Sequence, residues 1–98
     1  MDYKYITVKE VNERIKEIIE QDEFLRNVVV KGEISNLTDR GHIYMTIKDL
    51  DGSTMKAVLF RGYRNYLSFE PVIGDEVLMY GSIELYAQNG TYQLIVKQ

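Results

Sequence analysis

From Val28 to Phe60 the chain reads VVVKGEISNLTDRGHIYMTIKDLDGSTMKAVLF, and its apolar residues recur at every second position. Val28, Val30 and Ile34 alternate with Val29, Lys31, Glu33 and Ser35. Ile43, Met45 and Ile47 alternate with Tyr44, Thr46 and Lys48, and Met55, Ala57 and Leu59 alternate with Lys56, Val58 and Phe60. Successive side chains of an extended strand point to opposite faces, so this period predicts three strands, each with an inward and an outward set. Asp39-Arg40-Gly41 separates the first from the second, and Asp49-Leu50-Asp51-Gly52 is a hairpin signal between the second and third.

Beyond Phe60, residues 61–67 break the alternation and read as a short helix or loop. Val77, Met79, Gly81, Ile83 and Leu85 restore it as a fourth strand. Asn89-Gly90, a strong hairpin signal, leads into a fifth, in which Tyr92, Leu94 and Val96 are read as core. On the other side, Thr7 stands three residues before Glu10, the capping-box spacing. Val8, Val11, Ile15, Ile18 and Ile19 then recur at helical spacing, which predicts an amphipathic helix over 8–21 with a solvated acidic face and an apolar stripe that must pack on something. The strands are expected from Phe24 onward, so the chain divides into a helical extension, 1–23, and a barrel, 24–98, within one structural unit.

The expected class is mainly β with an N-terminal helix. Five strands in a small domain must close to hide their edges, and a short helix between strands three and four is the arrangement of a five-stranded antiparallel OB-fold barrel. Mid-strand Gly32 and Gly81 suit the bends and bulges of such a barrel.

Composition excludes several chemistries. With no cysteine there is no disulfide framework and no thiolate, and with a single histidine, His42, no multi-histidine metal site. Asp49 and Asp51 beside Gly52 lack the further oxygen ligands of a calcium loop. No catalytic constellation, metal or cofactor is expected. No apolar run approaches the ~20 residues that span a bilayer, and Met1-Asp2-Tyr3-Lys4 does not open a signal peptide, so the expected location is the cytoplasm.

The 98 residues carry a formal charge of −3, which argues against a generic nucleic-acid binder. The charge is unevenly spread, however: residues 24–64 hold seven basic and four acidic side chains. On the outer face of strands two and three, Tyr44 and Phe60 could stack on bases. Lys31, Lys48, Lys56, Arg61 and Arg64 could follow a phosphate backbone. Arg61 and Arg64 have the least obvious structural duty. Asn36 and Arg40 are expected from the loop joining strands one and two, and Gln88 and Asn89 from the loop joining four and five. Exposed aromatics serve protein interfaces too, and stacking does not by itself distinguish DNA from RNA.

The run Val30-Lys31-Gly32-Glu33-Ile34-Ser35-Asn36, then Gly41-His42-Ile43-Tyr44 and Ile47-Lys48-Asp49, resembles the N-terminal domain of the large subunit of bacterial exodeoxyribonuclease VII. The likeness continues through Lys56-Ala57-Val58-Leu59-Phe60-Arg61-Gly62, Gly74-Asp75-Glu76-Val77 and Gly90-Thr91-Tyr92-Gln93-Leu94. It implies an OB domain that binds single-stranded DNA and guides it to a downstream nuclease domain of the same subunit. It also implies helical small subunits in the holoenzyme, contacted mainly by other parts of the large subunit. Catalytic residues would then lie outside this chain, which reads as a fragment cut at a domain boundary. The alternatives are an OB domain that docks onto the catalytic domain or another subunit, and an RNA-binding domain like those that hold anticodons.

Overall fold

The computed structural model describes residues 4–98, so the first three residues of the expected 1–23 extension lie outside the described residues. Helix α1 spans Val8–Gln21, where Thr7 Oγ1 accepts the Glu10 amide at 3.1 Å. The reciprocal half of the capping box differs from expectation. Glu10 Oε1 takes the Thr7 hydroxyl at 3.2 Å instead of a backbone amide.

The strand does not begin at Phe24. Asp22 closes α1 and its carboxylate accepts the Leu25 amide at 3.0 Å, which starts a one-turn helix α2, Glu23–Arg26. An N-cap here overrides the β pattern until Val28. The apolar stripe of α1 is only partly covered: Ile19 packs against the core, whereas Val8, Val11, Ile15 and Ile18 remain exposed.

Strands β1 (Val28–Arg40), β2 (His42–Lys48), β3 (Thr54–Leu59), β4 (Glu76–Tyr86) and β5 (Thr91–Val96) close a barrel in the order β1-β2-β3-β5-β4, with helix α3 (Arg61–Arg64) between β3 and β4. The expected antiparallel pairing holds except at β3–β5, which is parallel. β1 serves two neighbours. Residues 28–33 pair with β4, and residues 33–40 pair with β2, with a register shift between Ile34 and Asn36. The extra residue, Ser35, donates its hydroxyl to the Thr46 carbonyl at 3.2 Å.

Ile34, Ile43, Met45, Ile47, Ala57, Leu59, Met79, Ile83, Leu94 and Val96 form the buried core. Neither expected glycine makes the bulge; both allow close approach. A Cβ on Gly81 would sit 1.9 Å from the Ile95 carbonyl oxygen, and one on Gly32 2.2 Å from Ile47 Cγ2. One outward residue departs from expectation. Val58 is 1% exposed, because its neighbours across the strands are Tyr44 and Ile95, and with Ile95 it makes a small buried apolar patch outside the barrel core.

Candidate nucleic-acid interface

Strand register sets the outer face in rows. Asn36 lies beside Thr46, Thr46 beside Lys56, and Lys56 beside Gln93. Two residues along each strand, the next row is Thr38, Tyr44, Val58 and Ile95. Arg40 and His42 are paired beyond that, where β3 gives way to Phe60. Lys48 pairs with Thr54 at the opposite end.

None of the chain's fifteen carboxylates lies in β2, β3 or β5. The outward set there is His42, Tyr44, Thr46, Lys48, Thr54, Lys56, Val58, Thr91, Gln93 and Ile95. A chain of net −3 therefore presents a face that does not repel an anion.

Each predicted residue has a defined place. Asn36 and Arg40 belong to β1, not to a loop, because the hairpin turns on Gly41 alone, at φ +90°. Asp39 Oδ1 accepts the Gly41 amide at 3.0 Å, and a side chain at Gly41 would strike the Arg61 guanidinium. The positive φ favours glycine here, whereas the Arg61 side chain could swing aside.

Tyr44, 44% exposed, stands in the middle of β2. Phe60 is not in the strand. It precedes α3, is 37% exposed, and meets the His42 ring edge to face with centroids 5.2 Å apart. His42 Nδ1 accepts the Arg61 amide at 2.8 Å, which leaves its proton on Nε2 and ties the start of α3 to β2.

The cations divide by what holds them. Among the described residues, Arg40, Lys48, Lys56 and Arg61 make no ion pair, and Lys56 Nζ donates to Thr46 Oγ1 at 3.1 Å. Lys31 faces Glu76 at 3.8 Å, on the half of β1 that pairs with β4, and shares an open groove of about 620 Å³ with Lys48 and Glu33.

Arg64 has a structural duty that its position in sequence did not disclose. Its guanidinium donates to both Asp39 oxygens, at 2.9 and 2.8 Å, to Glu70 Oε2 at 2.9 Å and to the Gly41 carbonyl at 3.2 Å, and its side chain is 22% exposed. Arg64, and next the Gly41 amide, hold the Asp39 carboxyl below the usual range. The same bonds to Asp39 and Glu70 push the Arg64 guanidinium up.

The loop between β4 and β5 sits against α1. Asn12 Nδ2 donates to the Ala87 carbonyl at 3.0 Å, the Tyr86 hydroxyl to Gln88 Oε1 at 2.8 Å, and Asn89 Oδ1 accepts the Thr91 amide at 2.9 Å. Gln88 borders a groove of about 370 Å³ that runs from Phe60 past Gln93 to Lys16. Tyr92, expected in the core, also departs from expectation. It shares the inward parity of Leu94 and Val96 yet is 51% exposed, because the hairpin carries it to the barrel rim. Its exposure could not be foreseen from alternation, which reports side but not depth.

Among the described residues no group of His, Asp or Glu could hold a metal ion, and no helix is long and apolar enough to cross a membrane.

Residues 6–98 match the family described as OB-fold nucleic acid binding domain. Over its whole length the chain is 46% identical to the exodeoxyribonuclease 7 large subunit of Geobacillus kaustophilus, of which it covers 22%. It is also 42% identical over 97% of its length to that of Acholeplasma laidlawii, again covering 22%. The chain thus spans about a fifth of the length of these relatives. Its fold is similar to that of the mitochondrial single-stranded DNA binding protein Rim1 of Saccharomyces cerevisiae, with TM-score 0.57, 18% identity, and 76% of this chain and 90% of that one covered.

Proposed function

We propose that this chain, which belongs to the OB-fold nucleic acid binding domain family, binds single-stranded DNA across the outer face of β2, β3 and β5 and guides it to a nuclease domain elsewhere in a longer protein. The observation that carries the reading is the face itself. Exposed Tyr44 lies on, and Phe60 beside, strands β2, β3 and β5, which carry no carboxylate. Lys48 and Lys56 stand on these strands and Arg40 and Arg61 at their end, none of the four in an ion pair among the described residues, while Glu33 and Glu84 border the face at Lys48 and Gln93. Unpaired bases offer flat π surfaces to such rings, each stacked base being worth roughly 1–3 kcal/mol, while duplex DNA keeps its bases inside the helix.

Four cations without partners give a moderate electrostatic contribution. At about −0.7 per neutralised phosphate, the logarithm of the association constant falls with the logarithm of salt at a slope near −3. Asn36, Thr46 and Gln93 add hydrogen-bonding groups along the row that contains Lys56. Arg64 holds the site in shape and Lys31 stands at its margin. The names of the relatives and of the fold neighbour, a DNA exonuclease and a single-stranded DNA binding protein, favour DNA over RNA. The nuclease domain, the small subunits of a holoenzyme and a cytoplasmic setting belong to the same proposal.

The test is a titration of the domain with labelled oligothymidylate, duplex DNA and single-stranded RNA from low to moderate salt, repeated with Phe60→Ala. Binding to the oligothymidylate, weakened about tenfold or more by the substitution, supports the reading. No single-stranded binding at low salt overturns it. That result would favour a docking domain, the reading suggested by the exposed stripe of Val8, Val11, Ile15 and Ile18 on α1.

A further inference from the structure

We infer that Tyr92 forms a second base-stacking station at the Lys56 end of the face, so that a bound strand is held at two points instead of one. The inference rests on the single-stranded DNA reading above and adds a residue that the sequence pattern assigns to the core.

Three observations carry it. Tyr92 has inward parity and is nonetheless half exposed, so its ring contributes less to the core than its position suggests. It lines an open groove of about 310 Å³ together with Thr46, Lys56 and Thr91, polar or cationic neighbours with no carboxylate among them. Lys56 directs its ammonium to Thr46 Oγ1 at 3.1 Å, which keeps a full positive charge at the edge of that groove. A flat ring beside an unpaired cation is the pair of groups that a nucleotide needs, one for the base and one for the phosphate.

The spacing gives the station a purpose. Lys56 and Phe60 are four residues apart, about 13 Å along an extended chain. Gln93 is level with Lys56, so Tyr92 lies one residue farther from Phe60, about 17 Å away along the strands. A strand of roughly four or five nucleotides then reaches from Phe60 over Tyr44 and Lys56 to Tyr92, within the range of site sizes for one OB fold. Shorter strands engage one station only.

The experiment measures binding of a 12-nucleotide and a 3-nucleotide oligothymidylate to the full 98-residue chain carrying Tyr92→Leu, Tyr92→Phe, Phe60→Ala, or Tyr92→Leu with Phe60→Ala. Leucine keeps apolar bulk at the rim and removes the ring. Tyr92→Leu is expected to weaken the 12-nucleotide complex about tenfold and to leave the 3-nucleotide affinity within about twofold. Tyr92→Phe should match wild type, and the double variant should show the product of the single effects. Photocrosslinking of a 12-nucleotide strand carrying 5-iododeoxyuridine should label the peptide that contains Tyr92, a measurement that stands even if the leucine variant folds poorly. Wild-type binding with Tyr92→Leu folded and unimpaired, or crosslinks confined to Tyr44 and Phe60, overturns the inference and leaves the proposed function standing. Failure of the wild type to bind any single strand overturns the function itself.

Discussion

Arg64 grips Asp39 through two parallel hydrogen bonds of 2.9 and 2.8 Å, joining the helix after β3 to the end of β1 across 25 residues of sequence. Glu70 and the Gly41 carbonyl complete the guanidinium's partners, so this arginine is a clamp on the β1–β2 turn. Arg61 lies on the same short helix, yet its guanidinium makes no ion pair among the described residues. The two arginines are therefore expected to behave differently. Arg61→Ala should flatten the salt dependence of DNA binding by about 0.7 in slope, the value of one lost phosphate contact on a single strand. Arg64→Ala should leave the slope unchanged and lower the thermal midpoint. Salt titrations and thermal melts of the two variants check this.

Acid should loosen the same clamp. The folded state holds the Asp39 carboxyl below its ordinary value, so the unfolded chain takes up that proton first as pH falls. The stability it contributes is present above about pH 4 and is lost as pH drops through the folded value. Denaturant melts between pH 7 and pH 2 should show this loss, and Asp39→Asn should reduce the pH dependence in the acid range.

His42 joins two parts of the site. Removing it costs the acceptor of the Arg61 amide and the ring edge against Phe60. His42→Ala should destabilise the chain by about 2 kcal/mol, from one hydrogen bond and one aromatic pair, and should weaken DNA binding because Phe60 is no longer held. Urea unfolding and the oligothymidylate titration measure the two effects.

Gly81 tests the closure of the barrel. A methyl group there would meet the Ile95 carbonyl at 1.9 Å, and backbone in a paired strand yields little. Gly81→Ala should cost about 3 kcal/mol or more. Gly62, with open space around it, should accept alanine with little change in the same urea assay.

Much of the fold was legible because alternation fixes side. Ile43, Met45, Ile47, Ala57 and Leu59 are core, and the turns at Gly52 and Gly90 fall where the turn residues indicate. Depth and reach were not legible. Alternation placed Val58 outside without disclosing that Tyr44 and Ile95 flank it, and placed Tyr92 inside without disclosing that the hairpin leaves it on the rim. Asn36 read as loop because the bulge at Ser35 breaks the period, although the strand continues. The duty of Arg64 was hidden since Asp39 reaches it only by tertiary contact and Glu70 only through the irregular segment that follows α3. The chemical character of the face was visible as a surplus of basic residues over 24–64. Its sharper form, strands β2, β3 and β5 free of acid, needed the parallel β3–β5 pairing that brings Gln93 beside Lys56.

In the proposed function, single-stranded DNA lies on the outer face of β2, β3 and β5. Amide chemical-shift mapping of the isotopically labelled domain during titration with an 8-nucleotide oligothymidylate locates the bound strand residue by residue. The largest shifts are expected on Tyr44, Thr46, Lys56, Phe60, Arg61 and Gln93, with α1 little affected. Val29, Leu78 and Tyr80 are exposed where β1 pairs with β4; saturable shifts confined to that surface or to α1 would overturn the assignment.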